Sequence, residues 1–228
     1  VRADALVPVF PTLTFPNHYS IATGRYPAEH GILGNTFANA SRDDWYSMYD
    51  RDAVGDGRWY GGDPIWTLAE QNGMVAAAFF FVGTEADVDG VRPSHWRNFD
   101  ASIPGEVRVR QAIDWLALPA ERRPHVITLY FEDVDSAAHE YGPDSPATAA
   151  AVERVDAYVG QLLDGIAALP VADQTYVVIV SDHGIAAYRD EAPFIVDSVV
   201  DLDGVMTVDH GSLAFLWLPS PDPERAEQ

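Results

Sequence analysis

Three stretches of the sequence hold residues whose types and spacing could do chemistry together. Pro11 to Gly24 (PTLTFPNHYSIATG) runs from a Pro-flanked turn into a helix and places the Thr14 hydroxyl where that helix begins. A helix start leaves backbone N–H groups unpaired and carries a partial positive charge, so an oxygen nucleophile and a phosphate-like anion are both favoured there. The plainer role for Thr14 is an N-cap, and Pro16 at an early helical position suits either role. In Glu132 to Pro143 (EDVDSAAHEYGP), Asp135 and His139 lie four apart, so on a helical turn they share one face and can grip one cation. In Ser181 to Gly184 (SDHG), Asp182 and His183 are adjacent at a strand end and can both turn toward a pocket. Four oxygen and nitrogen donors without sulfur suit zinc in a catalytic site and are compatible with manganese. Alone, the first pair reads as a solvated surface pair and SDHG as a tight turn; together, at two strand ends, they point to a metal-assisted site.

Other polar residues rank below these. Gly31 and Gly34 flank a small apolar step before Asn35, which suggests either a plain turn or a backbone shaped to aim an amide. His18 and His30 flank the nucleophile segment and are read as hydrogen-bonding supports; His95 and His125 are read as structural or exposed. Asp209, His210 and Gly211 repeat the DHG of the second cluster, but fall between two apolar runs and read as a turn between strands.

The elements that must position these groups alternate between strand and helix. The spacing predicts an edge segment at Ala5 to Phe10, a helix from Thr14 to Thr23 stopped by Gly24, and a loop at Tyr26 to Asn39. A short strand follows near Tyr46 to Tyr49, then a helix capped by Asp63 and running to Asn72, and an apolar strand at Met74 to Val82. Val107 to Leu118 has helical spacing, with Val109, Ala112, Ile113 and Leu116 on one side; His125 to Phe131 is β-rich. Ser145 and Pro146 open a long Ala-rich helix reaching about Leu169, and Thr175 to Val180 (TYVVIV) reads as another apolar strand. Apolar strands separated by helices imply an α/β fold, a three-layer α/β/α sandwich with a mostly parallel central sheet. In such sheets chemistry gathers beyond the carboxyl ends of the strands, where both ligand pairs fall.

Composition narrows the function classes. The 228 residues hold 35 acidic and 14 basic side chains, a net charge of −21, and every basic residue is Arg. Such a surface disfavours nucleic-acid grooves and anionic membranes, yet admits a small phosphorylated substrate where bound cations reverse the local field. The absence of cysteine excludes disulfides and thiolate zinc sites. No apolar run reaches membrane-spanning length, and the start at Val1, without Met or a signal segment, suggests a fragment.

The motifs TLTFPNHYSIATGRYPAEHGILGN, GGDPIW, LYFEDVDSAAHEYGP and VSDHG resemble, in order, those of the nucleotide pyrophosphatase/phosphodiesterase family of the alkaline phosphatase superfamily. The resemblance extends from about Leu6 to Gly184. It implies a single alkaline-phosphatase-like catalytic domain over 1–218, truncated at both ends, with a disordered tail over 219–228. It further implies a nucleophilic Thr14 and two divalent metal ions, expected to be Zn2+, one held with Asp135 and His139 and the other with Thr14, Asp182 and His183. Asn35 falls on the position that, with the Phe15 N–H, binds a phosphoryl oxygen, and Phe15 and Tyr130 fall on aromatic positions lining the substrate pocket. The implied reaction is hydrolysis of a phosphodiester or pyrophosphate bond in a small nucleotide-like substrate through a phosphothreonine. The alternatives are phosphomonoester or phosphonate hydrolysis, or a catalytically inactive fragment that binds metal or a phosphorylated ligand. The family pattern also has a metal-binding Asp upstream of the nucleophile and a metal-binding His downstream, neither matched here, so each metal is expected to be one ligand short. Leu13 stands where many relatives carry Lys. An extracytoplasmic location is the corresponding expectation.

Overall fold

Extended backbone turns into helix at Thr14 because Asn17 ties the preceding turn together. Its side-chain oxygen accepts the Val9 N–H, and its amide nitrogen donates to the Pro11 and Leu13 carbonyls. Helix α1 (Thr14–Thr23) follows, with Leu13 as its N-cap residue and no side-chain cap bond, so Thr14 is the first helical residue rather than the cap. Gly24 closes it at φ +67°, a left-handed conformation that glycine takes without steric cost, and returns its N–H to the Ser20 carbonyl. The computed structural model describes residues 2–39, 41, 43–188, 195–209 and 213–217.

The loop expected at Tyr26 to Asn39 contains two elements. Helix α2 (Pro27–His30) starts on Pro27; the Glu29 carboxylate accepts the Tyr26 N–H while the Glu29 N–H donates to the Tyr26 carbonyl, which stabilises even one turn. Strand β1 (Thr36–Ala38) then pairs antiparallel with β2 (Trp45–Ser47). Helix α3 (Arg51–Gly55) is capped by Asp50, and α4 (Ile65–Gln71) leads into β3 (Ala76–Phe79). Helix α5 (Gly105–Leu116) is the crossover to β4 (Val126–Leu129), which lies parallel to β3 in the register Ala76↔Val126 to Phe79↔Leu129. Two further helices follow. In α6 (Asp133–Tyr141) stand Asp135 and His139; α7 (Pro146–Ala167) is capped by the Ser145 hydroxyl, which accepts the Thr148 N–H. Strands β5 (Met206–Asp209) and β6 (Ala214–Trp217) form a second antiparallel ribbon.

The β3–β4 pair with its helical crossover is the α/β signature. Among the described residues it is the one parallel pair, and the other two sheets are antiparallel ribbons. The segment Thr175 to Val180 is not a strand: no neighbour pairs with it among the described residues, and Tyr176, Val178 and Ile179 are exposed. Its β propensity is high, but a strand forms only where another backbone completes its hydrogen bonds. His210, Gly211 and the tail 219–228 lie outside the described residues.

The larger core packs α1 against the segment 32–88. Phe15, Tyr19, Phe37, Tyr46, Tyr60 and Trp66 are buried together, and their rings meet mainly edge to face, an arrangement aromatic pairs prefer. The Tyr46 and Tyr60 hydroxyls are 2.7 Å apart, and Tyr60 donates to the Val54 carbonyl, so these buried groups are satisfied. A smaller core holds Ala77, Phe79, Phe80 and Trp115 between β3 and α5.

Candidate active site

Helix α1 brings its first residue to the SDHG turn. The Thr14 hydroxyl lies 3.2 Å from His183 Nε2, a contact between residues 169 apart in sequence. His183 Nδ1 is 3.0 Å from the Gly184 carbonyl, which can only accept, so Nδ1 carries a ring hydrogen, and in the neutral ring Nε2 then presents its lone pair to the Thr14 O–H. The same Nε2 is 3.3 Å from Asp182 Oδ2. Two lone-pair donors that close repel one another unless a proton or a cation lies between them.

Asp182 is held from the other side by His18. Buried on α1, His18 points Nδ1 at the Thr14 carbonyl, 2.9 Å away, and at Asp182 Oδ2, 3.3 Å away. Burial by itself would raise the Asp182 pKa, but the His18 hydrogen bond and the neighbouring His18 and His183 rings outweigh it. The carboxyl stays below its ordinary range and is therefore an anion at neutral pH. His18 is the support that sequence reading had suggested without a partner; its contact with Asp182 joins residues too distant in sequence for spacing to reveal.

Asn35 also meets α1. Its side-chain oxygen accepts the Phe15 N–H at 3.0 Å, so one of the free N–H groups of the helix start is spoken for and the Asn35 NH2 remains as a donor. The Phe15 ring is buried against Tyr46, leaving backbone rather than ring at the site surface. His30, fully buried, links α1 to the segment carrying Asn35: its Nδ1 accepts the Ile32 N–H and its Nε2 donates to Ser20 Oγ.

The second pair stands on α6. Asp135 Oδ1 is buried without a hydrogen-bond partner, and His139 Nε2 is 3.5 Å away. Tyr130 connects the two groups. Its ring edge packs on His18 at 4.9 Å between ring centres, and burial, then the charges of Asp182 and Asp135, push its hydroxyl pKa far above 10, so it stays a neutral donor. Of the other histidines, His95 is tied by its backbone to Ala76 and Ala78 and stacks on Trp115, and His125 is exposed. Among the described residues no three His, Asp or Glu side chains converge as a complete metal shell. The donors present nonetheless fit a cation in kind: an orphaned buried carboxylate oxygen at Asp135, and an imidazole lone pair facing a carboxylate at His183 and Asp182.

The family model for type I phosphodiesterase / nucleotide pyrophosphatase matches residues 1–227. Human ectonucleotide pyrophosphatase/phosphodiesterase family member 1 is 39% identical over 178 residues, covering 78% of this chain and 19% of that protein. Venom phosphodiesterase CdcPDE of Crotalus durissus collilineatus is 38% identical over 177 residues, covering 78% of this chain and 21% of the venom protein. The chain thus spans about a fifth of the length of these relatives. An inactive variant of murine ectonucleotide pyrophosphatase / phosphodiesterase 5, solved in complex with AMP, superposes with a TM-score of 0.87 at 24% identity. That match covers 99% of this chain and 60% of the murine one, and shows a shared fold.

Proposed function

The chain belongs to the type I phosphodiesterase / nucleotide pyrophosphatase family, and from that membership we propose that it hydrolyses phosphodiester or pyrophosphate bonds in small nucleotide-like substrates, with Thr14 as nucleophile. The observation that carries this reading is the Thr14 hydroxyl, at the first position of α1, directed at the lone pair of His183 Nε2 beside an ionised Asp182. The names of the relatives support the bond class, and the AMP complex of the murine protein supports a nucleotide group in the substrate.

In this reading Thr14 Oγ forms a bond to phosphorus as the bond to the leaving oxygen breaks, the leaving group taking the electron pair. The hydroxyl proton departs to solvent, because the His183 Nε2 lone pair that it faces would be committed to the cation held by Thr14, Asp182 and His183. Water then adds to the phosphothreonine, and the P–O bond to Thr14 breaks with return of a proton to Oγ. Asn35 offers its NH2 to a non-bridging oxygen, as an oxyanion hole does, and the Phe15 N–H joins it once Asn35 Oδ1 swings aside. Tyr130 gives the pocket an aromatic wall and a hydroxyl that remains a donor. Divalent cations, zinc by the donor types, would be held by Asp135 with His139 and by Thr14 with Asp182 and His183, and would supply charge stabilisation for attacking and leaving oxygens. The same reading takes 1–218 as one catalytic domain on a three-layer, mostly parallel sandwich, supported by the β3–α5–β4 crossover. The names of the venom relatives support an extracytoplasmic location.

The test is hydrolysis of a chromogenic phosphodiester and the matching monoester, with zinc added, by this chain and by Thr14→Ala. Diester cleavage that falls by at least about 10³-fold in Thr14→Ala is expected. Preference for the monoester would favour the phosphomonoesterase alternative, and equal rates in the two proteins would remove Thr14 from the mechanism. Zinc binding without turnover of either ester would favour the inactive alternative.

A further inference from the structure

Acidic residues crowd the start of α6, and each is treated differently. Glu132 is gripped by Arg108 from α5 and Asp133 by Arg154 from α7, whereas Asp135 has no arginine and keeps an unpartnered buried oxygen. Arg108 does more than neutralise. Its side chain is buried, its Nε donates to the Ile103 carbonyl, and Nη1 donates to the Tyr130 carbonyl at 3.0 Å. Nη1 and Nη2 together form a two-pronged bond with the Glu132 carboxylate, and the guanidinium carbon sits 4.9 Å from the centre of the Phe80 ring. One planar fork therefore holds both ends of the segment 130–132, the turn by which β4 enters α6. The Tyr130 N–H is meanwhile bonded to the Phe79 carbonyl, so the backbone of Tyr130 is gripped on both sides. Glu132 precedes α6 without capping it by its side chain, because that carboxylate is committed to Arg108.

We propose that Arg108 is a positioning residue, a clamp on the β4–α6 turn that fixes where Tyr130 and Asp135 stand and leaves Asp135 without an arginine, facing His139. The consequence for zinc and substrate rests on the reading of the preceding subsection; the clamp on the turn does not. Lysine cannot replace this group, because a point charge has no fork to span a carbonyl and a carboxylate at once. Removal of the charge alone would strand Glu132, so a folding defect must be separated from a positioning defect.

The experiment compares the parent chain with Arg108→Lys and with Arg108→Met/Glu132→Leu, which replaces the ion pair by apolar volume. Arg51→Lys, on the Arg51–Glu85 ion pair, serves as a control, since Glu85 meets the Tyr130 ring through Phe99 and bonds no backbone of the turn. Thermal unfolding verifies that each protein is folded. Amide hydrogen exchange over 130–136 in metal-free protein, zinc affinity by equilibrium dialysis, and kcat with KM on a phosphodiester are then measured. Both Arg108 proteins are expected to exchange 130–136 about tenfold faster or more, to hold zinc roughly 10–100-fold more weakly, and to lose kcat more than KM, with Arg51→Lys unchanged in all three. Unchanged exchange over 130–136 in folded Arg108 proteins, or an equal change in Arg51→Lys, would overturn the clamp. Full diesterase activity in Thr14→Ala, or no zinc binding by the parent, would instead sink the proposed reaction while the exchange data still decide about Arg108.

Discussion

Asn35 Oδ1 accepts the Phe15 N–H, so the Asn35 NH2 is the donor free to meet a phosphoryl oxygen and the Phe15 N–H becomes one when Oδ1 leaves it. Asn35→Ala is expected to lower kcat by about 10²–10³ and, because it leaves the part-buried Phe15 N–H without its acceptor, to cost about 1 kcal/mol of stability. A kcat within about threefold of the parent would exclude Asn35 from charge stabilisation. His30 acts on stability rather than turnover. Burial lowers its pKa from 6.5 to about 4, and the Ile32 N–H bonded to Nδ1 favours the neutral ring. Below about pH 6.5 the unfolded chain takes up a proton that the folded chain refuses until about pH 4. The unfolded state therefore binds more protons in that window, and stability falls as pH falls, by about 3 kcal/mol once the window is crossed. Asp182, with its lowered pKa, adds its own loss only at more acid pH. Urea unfolding between pH 7 and 4 should show this slope, and His30→Gln should flatten it; the same slope in both proteins would assign the acid sensitivity elsewhere.

At the level of elements, α5 and α7 approach closely because each lacks a side chain at the contact, Gly105 of α5 beneath Tyr158 and Gly165 of α7 beneath Ile113. A methyl group on Gly105, the first residue of α5, would overlap the Tyr158 ring of α7, which is itself stacked on Phe131 with ring centres 5.5 Å apart. Helix propensity favours alanine over glycine by up to about 1 kcal/mol, whereas overpacking a constrained ring costs about 1–3 kcal/mol, so the clash wins. Gly160, exposed on α7 with open space around it, has only the propensity term. Gly105→Ala should therefore destabilise, and Gly160→Ala should stabilise by about 0.5–1 kcal/mol; thermal unfolding that shifts both in one direction would refute the packing argument. The same contrast explains what the sequence made legible. Boundaries written in local chemistry, such as Gly24 ending α1, Ser145 and Pro146 opening α7, and the four-residue spacing of Asp135 and His139 on α6, could be read directly. The single-turn α2 could not, since its cap depends on how Glu29 folds back. TYVVIV has the composition of a strand, but pairing is decided by a distant backbone. Arg108 carried no signal, because a charged residue on a helix reads as surface until Glu132 is found opposite it.

On the scale of the whole molecule, a charge of −21 and an unpaired apolar segment act against each other. Tyr176 is 94% exposed and Val178 82%, and the backbone from 175 to 180 has no strand beside it among the described residues. Extended, apolar and unpaired backbone is a template for strand addition by a second copy. Repulsion between two strongly acidic surfaces opposes that approach, and its range is set by salt: about 30 Å at 0.01 M and about 3 Å at 1 M. The balance should therefore tip with ionic strength. Light scattering is expected to stay low in dilute buffer and to rise through the range from about 0.1 M to about 1 M salt at fixed protein concentration. Val178→Glu, which puts a charge in the middle of the segment and touches no buried contact, should suppress that rise without altering the unfolding temperature. A chain that remains monodisperse at high salt, or a Val178→Glu protein that associates as readily as the parent, would show that the exposed segment is not what the charge holds apart. Salt also leaves His30 neutral at pH 7, so association driven this way should leave unfolding by urea unchanged at low protein concentration, which separates it from the acid-induced loss of stability.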